Sequence, residues 1–340
     1  MTIRITWFRA ALAALALALA GFLFAWSGLF NVAASSGHWK ITDVVVHWVM
    51  QQSVRTHAWL EGSPKRVRDD TGLVSAAGHY AQACAVCHGA PGQRPSPTMQ
   101  SASPPAPWLP DHLPEWNDRR LHWILQHGIK MTGMPAWASQ ERPDEVARMV
   151  AFVRRLPGMS AAEYRRLAGL ENGLGCTSCH GTDGRGRGQR DIPILGGQDP
   201  AYLLRTLEDY AAGRRESGVM ATAAAPLNRA QMASLARYFA AQPGLGAAPR
   251  GAASARAIVE RGVPRMQLPA CASCHSPNGR APVLAGQKPA YLAQRLRQWR
   301  GEEGEVDARQ PQDAMSVIAR RIPEDDIDAL AAYLGGGARR

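Results

Sequence analysis

The sequence predicts an all-α protein, three tandem modules behind an N-terminal membrane-spanning helix, and three observations carry that expectation. A Cys-x-x-Cys-His cassette occurs three times, at Cys84-Ala-Val-Cys87-His88, Cys176-Thr-Ser-Cys179-His180 and Cys271-Ala-Ser-Cys274-His275. The last two cassettes are followed by a visible repeat, in which Pro193-Ile-Leu-Gly-Gly-Gln-Asp-Pro-Ala-Tyr-Leu203 matches Pro282-Val-Leu-Ala-Gly-Gln-Lys-Pro-Ala-Tyr-Leu292. Ahead of all of this, residues 10–30 are uninterruptedly apolar or small.

The cassette spacing has a chemical meaning. In covalent c-type haem attachment each thiol adds to one porphyrin vinyl group as a thioether, and the imidazole that follows coordinates the iron from the same side. A zinc site or a dithiol redox pair also uses Cys-x-x-Cys, but neither requires a histidine directly after it. With 10 His in 340 residues, three such histidines are roughly a one-in-forty-thousand coincidence. All 6 cysteines are spent in the cassettes, so no disulfide framework remains. The expected cofactors are three covalently bound haem c groups, with their iron, on Cys84, Cys87, Cys176, Cys179, Cys271 and Cys274.

Composition bounds the rest. At 340 residues the chain fits two to four modules, and 46% hydrophobic with 20% charged residues is globular rather than disordered. Gly 33 and Pro 24 suit loops wrapped around a flat cofactor. The net charge of +11 is spread along the chain, with no basic run interleaved with aromatics, so nucleic acid is not an expected partner. Two propionates on each of three haems would bring that charge to about +5. No paired carboxylates, Ser-His-Asp set or phosphate loop suggests other chemistry; the glycines of 184–188 lack the strand–helix context of a nucleotide site.

In chain order, residues 1–36 read as a membrane anchor. Twenty-one apolar residues at 1.5 Å each give about 31 Å, enough to cross the hydrocarbon core. A cleaved signal peptide is the competing reading, with Val32-Ala-Ala34 as its cleavage site, but the run exceeds the usual signal core. Haem attachment occurs outside the bacterial cytoplasm, so the body is expected in the periplasm, tethered to the inner membrane by a single pass. Residues 37–70 hold a juxtamembrane helix, capped by Thr42 and running to about Leu60, and then a charged linker. His47 and His57 are expected in packing or solvent roles.

The first module is 71–158. A Pro-rich loop over 95–114 is expected to exclude regular helix, followed by helices near 121–129 and 144–156, the latter stopped by Leu156-Pro-Gly158. The second and third modules are 159–246 and 250–337. Each ends in a helix, 228–242 with Asn228 as N-cap and 323–334.

A His-ligated haem that only carries electrons needs a second axial ligand, expected to be a methionine on a downstream loop. Met220 lies 40 residues after His180, and Met315 lies 40 after His275, although the intervening segments differ in length. For the first haem, Met134 is preferred to Met131, because Gly133 allows close backbone approach and Pro135 stiffens the loop. Met99 is too near its cassette, whereas Met149, Met232 and Met266 read as core filler. The metal-ligand set is therefore His88, Met134, His180, Met220, His275 and Met315, with His112, His122 and His127 as the bis-histidine alternative at the first haem.

Over 71–337 the chain resembles the class I c-type cytochromes, through the order of cassette, downstream methionine and C-terminal helix. Its second and third modules resemble the bacterial diheme cytochromes c, through His180-Gly, Pro-x-Leu-x-Gly-Gln and Ser-Gly-x-Met. The resemblance implies three tandem class I cytochrome c haem domains. It implies that Pro193 and Pro282, and in the first module Pro105 or Pro107, accept a hydrogen bond from the ligand histidine. The third module departs from the pattern with Ser276 in place of glycine and an acidic insert at 302–307. The expected function is that of a membrane-tethered triheme carrier, not an enzyme, shuttling electrons between respiratory redox proteins: a quinol-oxidising complex or dehydrogenase, and an oxidase. No small molecule is expected to bind at the iron. The alternatives are the cytochrome subunit of a membrane-bound dehydrogenase, docked through an apolar patch to which Trp108, Trp116, Trp123 and Trp137 could contribute, although haem-pocket packing is their expected use, and a peroxidase-like haem if one methionine ligand is absent.

Overall fold

The computed structural model describes residues 6–37, 39–62, 67, 70–173, 175–276, 281–301 and 314–336. The acidic insert at 302–307 and most of the charged linker lie outside the described residues. Thirteen principal helices organise the chain: α1 (Trp7–Trp26), α2 (Lys40–Glu61), α3 (Leu73–His79), α4 (Asp118–His127), α5 (Pro143–Val153), α6 (Ala161–Ala168), α7 (Pro200–Ala211), α8 (Gly218–Ala224), α9 (Arg229–Ala240), α10 (Ala253–Arg261), α11 (Pro289–Arg300), α12 (Ala314–Arg321) and α13 (Glu324–Gly335). Among the described residues the only β pairing is two isolated bridges, so the all-α expectation holds.

Helix α1 is 20 residues long, or about 30 Å, and none of it is buried. It is long and apolar enough to cross a membrane, and it stops at Ser27-Gly28, before the apolar run itself ends. Helix α2 begins three residues earlier than expected: Trp39 precedes it with no side-chain cap, and Thr42 sits inside the first turn. Its two halves differ. Ile41, Val44, Val45, Val46, Trp48 and Val49 are exposed, whereas Val54 and Ala58 are buried where α2 packs on α4. Glu61 fixes that contact by accepting from Trp123 Nε1 at 3.0 Å and pairing with His127 at 2.9 Å.

The first core gathers Leu73, Ala77, Tyr80, Val146, Met149 and Phe152 around the first cassette. It does not stop at the expected boundary of 158. Met159, Tyr164 and Ala168 also belong to it, because α6 packs on α3 and Tyr164 meets the Tyr80 ring edge-on at 6.2 Å. The Pro-rich stretch also differs from expectation. It contains two single-turn helices, Pro97–Gln100 and Leu109–His112, each with proline in its first two positions, where the missing N–H costs nothing. Cores around Leu203, Ala236 and Phe239, and around Val259, Leu292, Ile327 and Leu330, surround the other cassettes. Asn228 caps α9 as expected, in a full capping box with Gln231.

The repeated motif joins the two C-terminal segments by reciprocal exchange. Gln198 accepts from Val283 N at 2.9 Å and donates to Val283 O at 3.2 Å. Gln287 accepts from Ile194 N at 2.9 Å and donates to Ile194 O at 3.0 Å. Each glutamine thus closes the backbone beside the other segment's loop proline.

Candidate haem sites

Cys-x-x-Cys-His is also a helical spacing. Residues i, i+3 and i+4 share one helix face, so a single turn presents both thiols and the imidazole together. Cys176–His180 forms that turn, and Gly181 at φ +74° ends it. At the first cassette a π-turn over Tyr80–Cys84 leads into Ala85–His88, ended by Gly89 at φ +69°. The third cassette is looser: Cys271–Ser273 is a 3-10 turn, and Ser276 lacks the positive φ of its glycine counterparts.

Each histidine is backed by a proline carbonyl. His88 Nδ1 lies 2.9 Å from Pro107 O, and His275 Nδ1 lies 2.8 Å from Pro282 O. Of the two first-module prolines, it is therefore Pro107 that faces the ring. Pro193 O faces His180, although Nδ1 there falls short of full hydrogen-bond geometry. Burial lowers all three imidazole pKa values; at His180, burial and the Lys288 charge bring it to about 4. A neutral ring that presents Nδ1 to a carbonyl keeps Nε2 as a lone-pair donor for a metal. Burial pushes the thiols the other way, Cys84 to about 12, and raises Cys176, Cys179 and Cys271 as well. These are protonated S–H groups and not the activated thiolates of a redox dithiol.

His180 and Met220 line one cavity of about 650 Å³ that continues to His275 and Met315 and reaches Cys176, Cys179, Cys271 and Cys274. Both methionines sit in the first turn of a short helix, α8 and α12, and not on an open loop as expected. At α8 the reason is Ser217, which caps the helix by accepting from Met220 N at 3.1 Å. In the first segment Met134 is half-buried, whereas Met131 is 98% exposed at φ 59°. Thr132 Oγ1 accepts from Met134 N at 3.0 Å, and Met134 O accepts from Ile129 N at 3.1 Å. Met99 Sδ lies 3.6 Å from Cys87 Sγ, whereas Met149 and Met232 are buried in cores. The three alternative histidines are engaged elsewhere: His112 with Glu115, His122 with Pro143 O, and His127 with Glu61.

The cavity holds buried cations that suit anionic substituents of a ligand. Arg215 is 8% exposed, stacks over Tyr210 at 4.8 Å, and among the described residues donates to the hydroxyls of Tyr202 and Thr206, at 3.4 and 3.5 Å. Arg295, 7% exposed, lines the same cavity and donates to Gln298 Oε1 at 3.0 Å. Buried guanidinium groups in an apolar cavity favour carboxylate ligands. Haem propionates meet that demand, so this donor set fits haem c.

Two family models match the chain: "Cytochrome C oxidase, cbb3-type, subunit III" over residues 73–153 and "Cytochrome c" over 259–337. A cytochrome c4 from Pseudomonas aeruginosa is 32% identical over 189 residues, 53% of this chain and 92% of the relative. This chain belongs to the class I c-type cytochrome family. A thiosulfate dehydrogenase electron acceptor from Stutzerimonas stutzeri is 33% identical over 172 residues, 47% of this chain and 77% of that protein. Among solved structures, reduced recombinant cytochrome c4 from Pseudomonas stutzeri is 30% identical with a TM-score of 0.42, covering 51% of this chain and 98% of that one. As a cytochrome c, the chain is an electron-transfer protein that binds haem c covalently.

Two sets of residues in this cytochrome gave no signal in the sequence. The glutamines of the repeated motif are visible as a pattern, but their reciprocal role is not. Glu145 and Trp137 are buried where the first segment meets α8. Trp137 is therefore not part of an exposed docking patch, and Trp108, Trp116 and Trp123 are half-buried. Gly78 is a permissive point between the same segments: a Cβ there would sit 2.5 Å from Cys179 Sγ, so glycine lets α3 lie against the second cassette.

Proposed function

We propose that this cytochrome is a membrane-anchored periplasmic carrier with three haems, in domains 71–158, 159–246 and 250–337, that passes electrons from a dehydrogenase or quinol-oxidising complex toward an oxidase. Haem c supplies a one-electron Fe(III)/Fe(II) couple. Cys84, Cys87, Cys176, Cys179, Cys271 and Cys274 hold the macrocycles as thioethers. His88, His180 and His275 ligate through Nε2, their rings oriented by Pro107, Pro193 and Pro282. Met134, Met220 and Met315 would supply the second protein ligand to each iron, leaving no position for a small molecule, so that transfer would be outer-sphere. Helix α1 keeps the carrier in the plane of its membrane partners and raises its effective concentration there.

The observation that carries this reading is the single cavity running from His180 and Met220 to His275 and Met315. Two such sites lining one continuous cavity suit direct transfer between them. The likeness of 73–153 to an oxidase subunit favours an oxidase on the acceptor side. The relative named as a thiosulfate dehydrogenase electron acceptor favours a second reading, in which the donor is a periplasmic dehydrogenase and the chain its dedicated electron acceptor.

A spectroelectrochemical titration of the membrane-extracted protein tests both the ligation and the haem count. Three low-spin, methionine-ligated haems at positive potentials are expected. A high-spin haem, or one at much lower potential, would overturn the simple carrier and turn attention to a catalytic haem.

A further inference from the structure

Glu145 stands in the first turn of α5, in the first cassette's segment, yet its carboxylate serves the helix that carries Met220. Its side chain is 7% exposed. Oε1 accepts from Ser217 Oγ at 2.6 Å and pairs with Arg142 Nη1 at 3.2 Å. Oε2 accepts from Gly218 N at 2.7 Å, Val219 N at 3.3 Å and Trp137 Nε1 at 3.2 Å. Ser217 Oγ, whose proton goes to Glu145, in turn accepts from Met220 N at 3.1 Å. The first three backbone N–H groups of α8 are thereby satisfied through one carboxylate and the serine it orients. A negative charge at that end also opposes the helix dipole.

Other side chains of the first segment complete the grip. Ser139 Oγ donates to Glu216 Oε2 at 2.5 Å, and Arg142 Nη1 donates to Glu216 O at 3.1 Å. The indole of Trp137 lies so close to Gly218 that a Cβ there would come within 2.1 Å of Nε1. Residues 216–219 are thus held from outside their own segment. At the corresponding place before Met315 the sequence reads Gln312-Asp313 instead of Ser217-Gly218, so no serine stands three residues before that methionine.

We infer that Glu145 is a positioning residue for the second haem: the first segment of the chain fixes the sulfur of Met220 over the iron that His180 ligates. The inference rests on the reading of Met220 as that haem's sixth ligand. It assigns the first segment a task beyond carrying its own haem, since it sets the coordination of its neighbour.

The test uses the full-length, haem-loaded protein. Glu145→Ala leaves two buried backbone donors and Trp137 Nε1 without their acceptor. It is expected to retain its haem content yet lose the near-infrared methionine-to-iron band of one ferric haem, about a third of the amplitude. One potential falls, and one ferrous haem gains the ability to bind CO. Glu145→Asp, which keeps the charge, restores part of the band. Met220→Ala is the control and should reproduce the Glu145→Ala spectrum. If Met220→Ala leaves the band whole, the assignment of Met220 as ligand fails. If Met220→Ala removes it while Glu145→Ala retains the full band and all three potentials, the positioning role is overturned. Should Glu145→Ala not accumulate, Trp137→Phe deletes one donor and keeps a ring. A downward shift of one potential then supports the inference, and three unchanged potentials reject it.

Discussion

The two C-terminal segments use one motif in two ways at adjacent positions. Gln198 and Gln287 do the same job in opposite directions, each bonding the backbone beside the other's loop proline. The next residue differs. Asp199 caps its own helix, accepting from Tyr202 N at 2.5 Å, whereas Lys288 reaches across and donates to Gln189 O and Ile192 O at 2.6 and 2.7 Å. After the cassette histidine the contrast repeats, with Gly181 at φ +74° in one segment and Ser276 without a positive φ in the other. A repeat keeps what both halves need at their junction and is free to change where the need is local.

Substitutions can break this comparison at graded cost. The largest effect is expected from Gln287→Ala, which strands the N–H and C=O of Ile194 in a fully buried setting and should cost about 2–4 kcal/mol in denaturant unfolding. Gln198→Ala, whose Val283 partners are only partly buried, should cost less; equal losses would mean that the two halves are equivalent after all.

Copying the third cassette into the second is the intermediate case. Gly181→Ser forces a side chain onto a left-handed residue and into contact with Asp183, and should lower stability by about 1–2 kcal/mol. The reverse change, Ser276→Gly, meets no such strain and should move the thermal midpoint far less.

A pH dependence that Lys288→Met would remove is the last of these effects. Burial brings the Lys288 ammonium from its usual 10.5 down to about 8, against the opposing pull of Asp191 and Asp183. Between those two values the unfolded chain binds more protons than the folded one, so stability rises with pH across that window. Stability measured from pH 7 to 11 should show the native chain gaining on Lys288→Met above about 8, with parallel curves below it. Parallel curves throughout would place the ammonium in solvent.

Much of this was legible because the chemistry is local. A thiol–thiol–imidazole spacing that also fits one helical turn announces itself, as do a tandem motif, an apolar run and the cap at Asn228. What escaped depends on distant residues. Thr42 has the composition of a cap, but α2 starts before it, at Lys40, behind Trp39 and without a side-chain cap. Prolines suggested an open loop over 95–114, yet Pro97 and Pro110 stand in the first two positions of short helices, where a missing N–H is harmless. Glu145 reads as an ordinary acidic residue in a helix's first turn, and nothing periodic links it to Ser217, 72 residues away. The extension of the first core to Ala168 was hidden for the same reason: a helix that opens one segment can bury its face in the preceding one.

The exchange of glutamine contacts has the form of a homodimer interface in which each subunit offers the same patch. In a true homodimer every substitution appears twice, and a lysine in place of the capping aspartate would remove both caps at once. Fusing the halves into one chain lifts that constraint. Asp199 and Lys288 coexist because the gene spells each half separately, so two sites of common design can be adjusted one at a time without dissolving the junction that holds them together.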